Sequence, residues 1–325
     1  MSAASTTAAP RPLAAGPERA SAKINLALHV TGRREDGYHM LDSLVAFAEI
    51  GDDVAIAPAG SDLLTLSGPF ADAIAPDGDN ILVKALDLAR RAGDAVGCAI
   101  GPLAIHLEKR LPVASGIGGG SADAAALLRR LAAAHPELRA PLSATSLSLG
   151  ADVPMCLADR PCRVGGIGEA IEPLAAFPAM AIVLVNPGTP VSTPAVFRAL
   201  ERRDNAPLPE LPQGGFRTAS ALLAWLAQTR NDLEAPALAI APAIGAARAA
   251  LIREGASFAR MSGSGATVFG LFEGADLAAR AAAALGAEHP AWWVAPSRLR
   301  PAGSPDAVVA GKARPTSELD PGYRP

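Results

Sequence analysis

The chain of 325 residues is half hydrophobic, with 29 Lys and Arg against 32 Asp and Glu and a formal net charge of −3. A sizeable core is available, while the balanced charge and scattered arginines argue against a polynucleotide partner. Three cysteines and five dispersed histidines provide no disulfide framework and no zinc-knuckle spacing, so reduced thiols and no metal cage of protein side chains are expected.

In chain order, residues 1–19 are rich in Ala, Ser, Thr and Pro and lack the apolar core of a secretory signal, which predicts a disordered leader. A transit peptide is the poorer fit, since Glu18 accompanies only two arginines. Residues 22–30 alternate, with Ile24, Leu26, Leu28 and Val30 on one face and Lys23, Asn25 and His29 on the other, as in a half-buried strand. Short strands are predicted at 54–57 and 63–66, a helix at 80–91, and a strand at 99–107. A glycine-rich loop follows, then a helix to Ala134 that stops before Pro136, and a short helix at 143–149 ended by Gly150.

A domain boundary is placed near residue 177, separating domains at 20–176 and 177–300. Beyond it, 181–185 reads as a buried strand running into an Asn186-Pro187-Gly188 turn. Thr193-Pro194 reads as an N-cap followed by a first-turn proline, and 205–215 as a Pro-rich loop. Helices at 219–226, 239–253 and 275–285 surround strands at 257–261 and 267–272, and 301–325 reads as a flexible tail. No run of about eighteen apolar residues exists, so no membrane span is expected. Runs of strands and helices without strict alternation give an α+β fold.

The most informative stretch is Pro112, Val113, Ala114, Ser115, Gly116, Ile117, Gly118, Gly119, Gly120, Ser121 and Ala122. Glycines ahead of a helix let an anion approach backbone N–H groups at the positive end of the helix dipole, the outline of a phosphate cradle. Taken alone, such a loop also fits a plain flexible connection. It is not a Walker A loop, since no lysine follows the glycines, and it lacks the Rossmann setting of a first strand turning straight into a helix. A second glycine-rich stretch, Ser262-Gly263-Ser264-Gly265-Ala266, reads alone as a hairpin turn. With the first it is able to hold the other end of a phosphate chain.

The loop at 112–122 resembles the ATP loop of the GHMP kinases, Ser262–Ala266 is similar to their C-terminal glycine motif, and Ala22-Lys-Ile-Asn-Leu26 to their N-terminal strand. Three motifs in the right order span nearly the whole chain. Gly32-Arg-Arg-Glu-Asp-Gly-Tyr-His39 and Leu149-Gly-Ala-Asp-Val-Pro154 narrow the resemblance to members acting on 4-diphosphocytidyl-2-C-methyl-D-erythritol in the non-mevalonate route to isoprenoid precursors.

The resemblance implies a two-domain fold with its site in the interdomain cleft, ATP with Mg2+, and phosphorylation of that substrate's C2 hydroxyl by a cytoplasmic monomer or homodimer. It makes Asp152 the proton acceptor and Lys23 its partner, with Asn25 orienting substrate or lysine. By themselves, Asp152 fits a turn aspartate and Lys23 a solvated lysine. The resemblance further implies that Tyr38 stacks on cytosine, His39 bonds the base edge and Phe197 covers the other face. Ala114 and Ser115 stand where the resemblance leads one to expect glycine, and Asp123 stands where it leads one to expect a serine-rich ending. Asp123 near the helix start fits the helix dipole better than a magnesium-bound water, and no magnesium ligand is named. Other readings remain: homoserine, mevalonate or diphosphomevalonate chemistry, which offers Tyr38 and His39 no base; a nucleotide-binding sensor without turnover; and, more distantly, a Rossmann-type oxidoreductase.

Overall fold

The computed structural model describes residues 16–303; residues 1–15 and 304–325, most of the expected leader and tail, lie outside the described residues. In chain order the elements are β1 (Glu18–Arg33), β2 (His39–Pro58), β3 (Leu63–Ser67), α1 (Ile81–Val96), β4 (Leu103–Glu108), α2 (Gly119–Ala134), α3 (Arg139–Thr145), α4 (Val153–Ala158), β5 (Cys162–Gly166) and β6 (Ala170–Pro173). There follow β7 (Met180–Asn186), α5 (Thr193–Arg198), α6 (Ala219–Leu226), α7 (Glu234–Ile240), α8 (Ala243–Arg253), β8 (Phe258–Met261), β9 (Val268–Phe272), α9 (Ala275–Glu288) and β10 (Trp293–Leu299).

The long hairpin β1–β2 is the spine. On its other edge β2 pairs antiparallel with β5 at 41–45 and with β4 at 53–58, and β3 lies parallel to β4. A second set of antiparallel strands, ordered β10-β7-β9-β8, joins the first through Leu299 opposite Ala48. Among the described residues no single helix is long and apolar enough to cross a membrane.

Several elements depart from the sequence reading for identifiable reasons. β2 runs through 54–57, predicted as a separate strand, because Gly51-Asp52-Asp53 is not a turn. A Cβ at Gly51 would lie 2.2 Å from the Ala20 carbonyl oxygen, so glycine lets β1 pass, and Asp52 is drawn inward by a buried lysine. The helix predicted over 239–253 breaks at Pro242 into α7 and α8, bent by 116°. β10 went unread because of Pro296. That strand pairs with β7 throughout but with β2 at Leu299 alone, so the missing N–H removes little from the ladder.

β1 is not half-wet as its alternation suggested: Lys23, Asn25 and His29 are buried as fully as Leu26 and Val30. The chain beyond residue 177 covers the polar face. His29 Nδ1 sits 2.9 Å from the Ala206 carbonyl, the Val30 amide donates to Asp232, and Arg260 donates to the Leu26 carbonyl. Leu82, Leu86 and Ala89 of α1 and Leu127, Leu128 and Leu131 of α2 pack over Phe47, Val54, Ile105 and Leu107. Each fully buried aliphatic or aromatic side chain of this kind contributes roughly 1.5–3 kcal/mol. This layer fixes α2, and with it the loop at its N-terminus.

Candidate active site

α2 begins immediately after Gly118, whose φ of +66° is open to glycine at little cost. No side chain caps the helix, and the first bond of its N-terminal turn is Ala122 N–H to the Gly118 carbonyl. The amides of Gly119, Gly120 and Ser121 therefore precede the helical ladder and face a cleft lined by Gly116, Gly118, Gly119, Gly120 and Ser121. This is the geometry of an anion site at a helix N-terminus.

The loop is held from below and behind. Ile117 is fully buried, and its carbonyl accepts the Lys23 amide at 2.9 Å. Ser115 donates its hydroxyl to the Pro112 carbonyl at 2.6 Å, and its own carbonyl accepts the Thr267 amide. Ala114 has a φ of +50°, so the side chain there carries the left-handed strain a glycine would avoid. Val113 stands exposed at the loop's outer edge.

The second glycine motif is more than a hairpin turn. Ser262 Oγ donates to the Gly116 carbonyl and accepts the Asn25 amide, both at 3.0 Å. Asn231 Nδ2 donates to the carbonyls of Met261 and Gly263 and fixes the motif from behind. Gly263 and Ser264 reach the cleft, and Ser264 bonds Thr193 Oγ1 at 2.7 Å. Thr193 is thus the first helical residue of α5, one place beyond the N-cap predicted for it, and its hydroxyl serves the glycine motif.

Asp152 occupies the N-cap position of α4, but its side chain makes no capping bond. It meets Lys23 Nζ at 2.9 Å instead, which removes the reading of Asp152 as a turn-stabilising aspartate. Lys23 Nζ also donates to Asn25 Oδ1 at 2.9 Å, and Asn25 Nδ2 donates to Ser43. A Cβ at Gly118 would lie 3.0 Å from Lys23 Cε and 3.6 Å from Asp152 Oδ2, so loop, ammonium and carboxylate converge on one point. The cleft around them encloses about 1110 Å³.

At the cleft's far end the 34–37 turn closes through Gly37 N–H to the Arg34 carbonyl and presents Tyr38, 57% exposed. His39 stacks on Phe197, with ring centroids 4.7 Å apart and 28° between planes. Burial, then Arg33 and Arg203, lower the His39 pKa and favour the neutral imidazole, and its Nε2 is buried with no hydrogen-bond partner among the described residues. Arg33, Arg198 and Arg203 line this end, a cationic mouth the sequence analysis did not pick out.

A second cavity of about 330 Å³ adjoins the first and shares Ile81, Ala114, Gly119 and Gly120 with it. Its floor is a buried ionic cluster absent from the sequence reading. Lys109 Nζ meets Asp52 at 2.5 Å and Asp123 at 2.7 Å, and Asp52 also accepts the amides of Arg110 and Leu111. Asp123 is therefore a buried partner of Lys109, turned away from helix-dipole or magnesium duty at the surface. Burial works against the Lys109 charge, but Asp123 and Asp52 outweigh it and raise its pKa.

For Asp123, burial and then the like charge of Asp52 prevail over Lys109 and push the carboxyl up to about 8. A carboxyl whose pKa rises on folding contributes stability that is complete below its unfolded pKa near 4 and lost as pH climbs through the folded value. Asp123→Asn should accordingly gain on the parent between pH 5 and 9, by on the order of 1 kcal/mol or more. Melting temperatures across that range would test this, and a gap that narrows with rising pH would refute it.

A helix start with free backbone amides, a second glycine motif bracing it and a Lys–Asp pair beside it are the parts of an ATP-dependent small-molecule kinase of the GHMP class. The family model described as GHMP kinases N terminal domain matches residues 80–160, and GHMP kinases C terminal matches residues 207–291. A 4-diphosphocytidyl-2-C-methyl-D-erythritol kinase of Paracoccus denitrificans (strain Pd 1222) is 54% identical over 287 residues, 88% of this chain and 97% of the relative. Another of that name from Mesorhizobium japonicum is 55% identical, covering 86% of this chain and 94% of the relative.

A solved 4-(cytidine 5'-diphospho)-2C-methyl-D-erythritol kinase superposes with a TM-score of 0.70 at 38% identity, over 87% of this chain and 98% of its own. Mevalonate kinase of L. major, at 15% identity, shares the fold, with a TM-score of 0.58 over 92% of this chain and 100% of its own. The chain belongs to the GHMP kinases and, within them, to the 4-diphosphocytidyl-2-C-methyl-D-erythritol kinase family.

Proposed function

We propose that this chain transfers the γ-phosphoryl group of ATP to the C2 hydroxyl of 4-diphosphocytidyl-2-C-methyl-D-erythritol, giving the 2-phosphate and ADP. The carrying observation is the 2.9 Å Lys23–Asp152 pair against Gly118, a base and a cation beside the phosphate cradle. The chain divides for this purpose into lobes at 20–176 and 177–300 and works in the cytoplasm.

Phosphoryl transfer is mainly positioning and charge neutralisation. The amides of Gly119, Gly120 and Ser121 hold phosphate oxygens, and the adjoining smaller cavity takes the rest of the nucleotide. Asp152 accepts the C2 hydroxyl proton as that oxygen bonds the γ-phosphorus and the bond to the β-phosphate oxygen breaks. Lys23 offsets negative charge building on the transferred group, and Asn25 holds the lysine in place.

Magnesium, when bound with ATP, neutralises phosphate charge as a Lewis acid. Hard oxygen donors suit it, and the cleft presents the Ser121 hydroxyl and the Asp152 carboxylate. Ser121 would hold it, since Asp152 is engaged with Lys23.

Tyr38 and Phe197 take the cytosine faces, and the unpartnered Nε2 of neutral His39 supports its role at the base edge. Arg33, Arg198 and Arg203 attend the diphosphate. Tyr38→Ala should raise KM for the cytidyl substrate by about tenfold with little change in kcat, the scale of a lost base stack. Steady-state kinetics showing an unchanged KM would remove Tyr38 from the pocket.

The overall reading is tested by ADP release with Mg-ATP and 4-diphosphocytidyl-2-C-methyl-D-erythritol beside homoserine, mevalonate and the erythritol without its cytidyl group. Turnover confined to the first supports the proposal. Activity on another alcohol discards the base pocket, and ATP binding without turnover on any of them overturns the kinase reading.

A further inference from the structure

At the opposite end of α2 from the phosphate loop, three side chains of unlike chemistry converge. Cys98 Sγ lies 3.2 Å from His135 Nδ1, and His135 Nδ1 lies 3.7 Å from Glu137 Oε1. All three ligand atoms fall within 4.8 Å of one another. None of these residues lines the cleft, and α2's sixteen residues span about 24 Å, so this cluster is remote from the transfer site.

The backbone holds each member rigidly. Gly97 ends α1 in the left-handed conformation, and Cys98 follows with its amide bonded to the Gly93 carbonyl. His135 is the C-cap of α2, with its amide on the Leu131 carbonyl. Glu137 is the middle residue of a 3-10 turn begun by Pro136 and anchored by the fully buried Leu138. Two helix ends and a proline-started turn thus aim a sulfur, a nitrogen and an oxygen at one point, with side-chain exposure rising from His135 at 16% to Glu137 at 42% and leaving an entry path.

We propose that Cys98, His135 and Glu137 form a metal site for a divalent cation of borderline softness, Zn2+. In a tetrahedral zinc site with ordinary bond lengths, the S···N and N···O edges come to roughly 3.5 and 3.4 Å. The observed 3.2 and 3.7 Å need only small side-chain movements. A thiolate–imidazole–carboxylate set selects zinc over Mg2+ and Ca2+, which take oxygen donors. Three protein ligands leave the fourth position to water. On binding, the Cys98 S–H bond breaks, an S–Zn bond forms and the proton leaves to solvent, with no change of oxidation state. The ion staples the C-terminal ends of α1 and α2.

The test uses the full chain, stripped with chelator and without nucleotide, titrated with CoCl2 and then ZnCl2. One cobalt per chain with the near-ultraviolet thiolate band and intense visible bands of tetrahedral coordination, displaced by zinc, is expected, as is a rise in melting temperature with zinc. Cys98→Ser should abolish the thiolate band, which separates this site from Cys156 and Cys162. Exposed Glu137→Gln, which preserves the fold, should weaken cobalt affinity about tenfold or more, at least the scale of a lost supporting ligand. Cobalt bound without the thiolate band, a band persisting in Cys98→Ser, affinity unchanged in Glu137→Gln, or no binding at micromolar metal would each overturn the site.

Discussion

Asp152→Asn is expected to cut turnover by roughly a hundredfold or more while leaving ATP affinity nearly intact, because the change removes a proton acceptor without altering the cradle. The cradle is built from backbone amides of α2's first turn and braced by Ser262 and Ser115, none of which depends on Asp152. Nor does α4 depend on it, since the Asp152 side chain caps nothing. Asparagine keeps the shape and a hydrogen bond but not the charge paired with Lys23. The measurements are kcat for ADP release and ATP affinity by titration on the same preparation. Near-normal turnover would remove Asp152 as the base, and a parallel loss of ATP affinity would assign it a binding role instead.

What the sequence made legible was what is local. The phosphate loop, the helix after it and the glycine motif at 262–266 declare themselves in single stretches, because backbone exposure at a helix start requires glycines close together. Lys23 and Asp152 became partners only through the resemblance. They are far apart in sequence, and nothing in either neighbourhood distinguishes a catalytic pair from a solvated lysine and a turn aspartate. Alternation in β1 identified its two faces correctly but not that both are buried, since burial of the polar face is decided by Arg230, Asp232 and Arg260 on segments some two hundred residues away.

The same limit hid the ionic cluster. Gly51-Asp52-Asp53 carries the composition of a turn, and Glu108-Lys109-Arg110 that of a polar strand end. Only the fold shows that Gly51 makes room for the Ala20 carbonyl and that Asp52 and Lys109 face each other. His135-Pro136-Glu137 likewise reads as a helix stop, and its juxtaposition with Cys98 depends on how α1 packs along α2.

Lys109→Met should have the largest effect on stability, a loss of about 3–5 kcal/mol, because it leaves the buried Asp52 carboxylate and the Asp123 carboxyl without the cation they share. That is a large share of the roughly 5–15 kcal/mol by which a domain is stable. Asp52 would retain the amides of Arg110 and Leu111, but Asp123 would keep no cation, and one of its oxygens already lacks a partner among the described residues. With its carboxyl pushed up to about 8, Asp123 keeps its proton below that pH with or without the lysine, so the loss should grow only as pH climbs past 8 and the parent's Asp123 ionises against Lys109, unlike a simple packing defect, which is indifferent to pH. Adding Asp123→Asn to Lys109→Met should recover part of the stability at pH 9 and little at pH 5. Because a Cβ at Gly119 would lie 3.0 Å from Lys109 Nζ, the ammonium also supports the first turn of α2, and ATP affinity should fall with stability. Denaturant midpoints at the two pH values for parent, single and double variants decide the matter: equal losses at both, with no rescue, would mean that Lys109 serves by volume alone and that the charge beneath the phosphate loop is incidental.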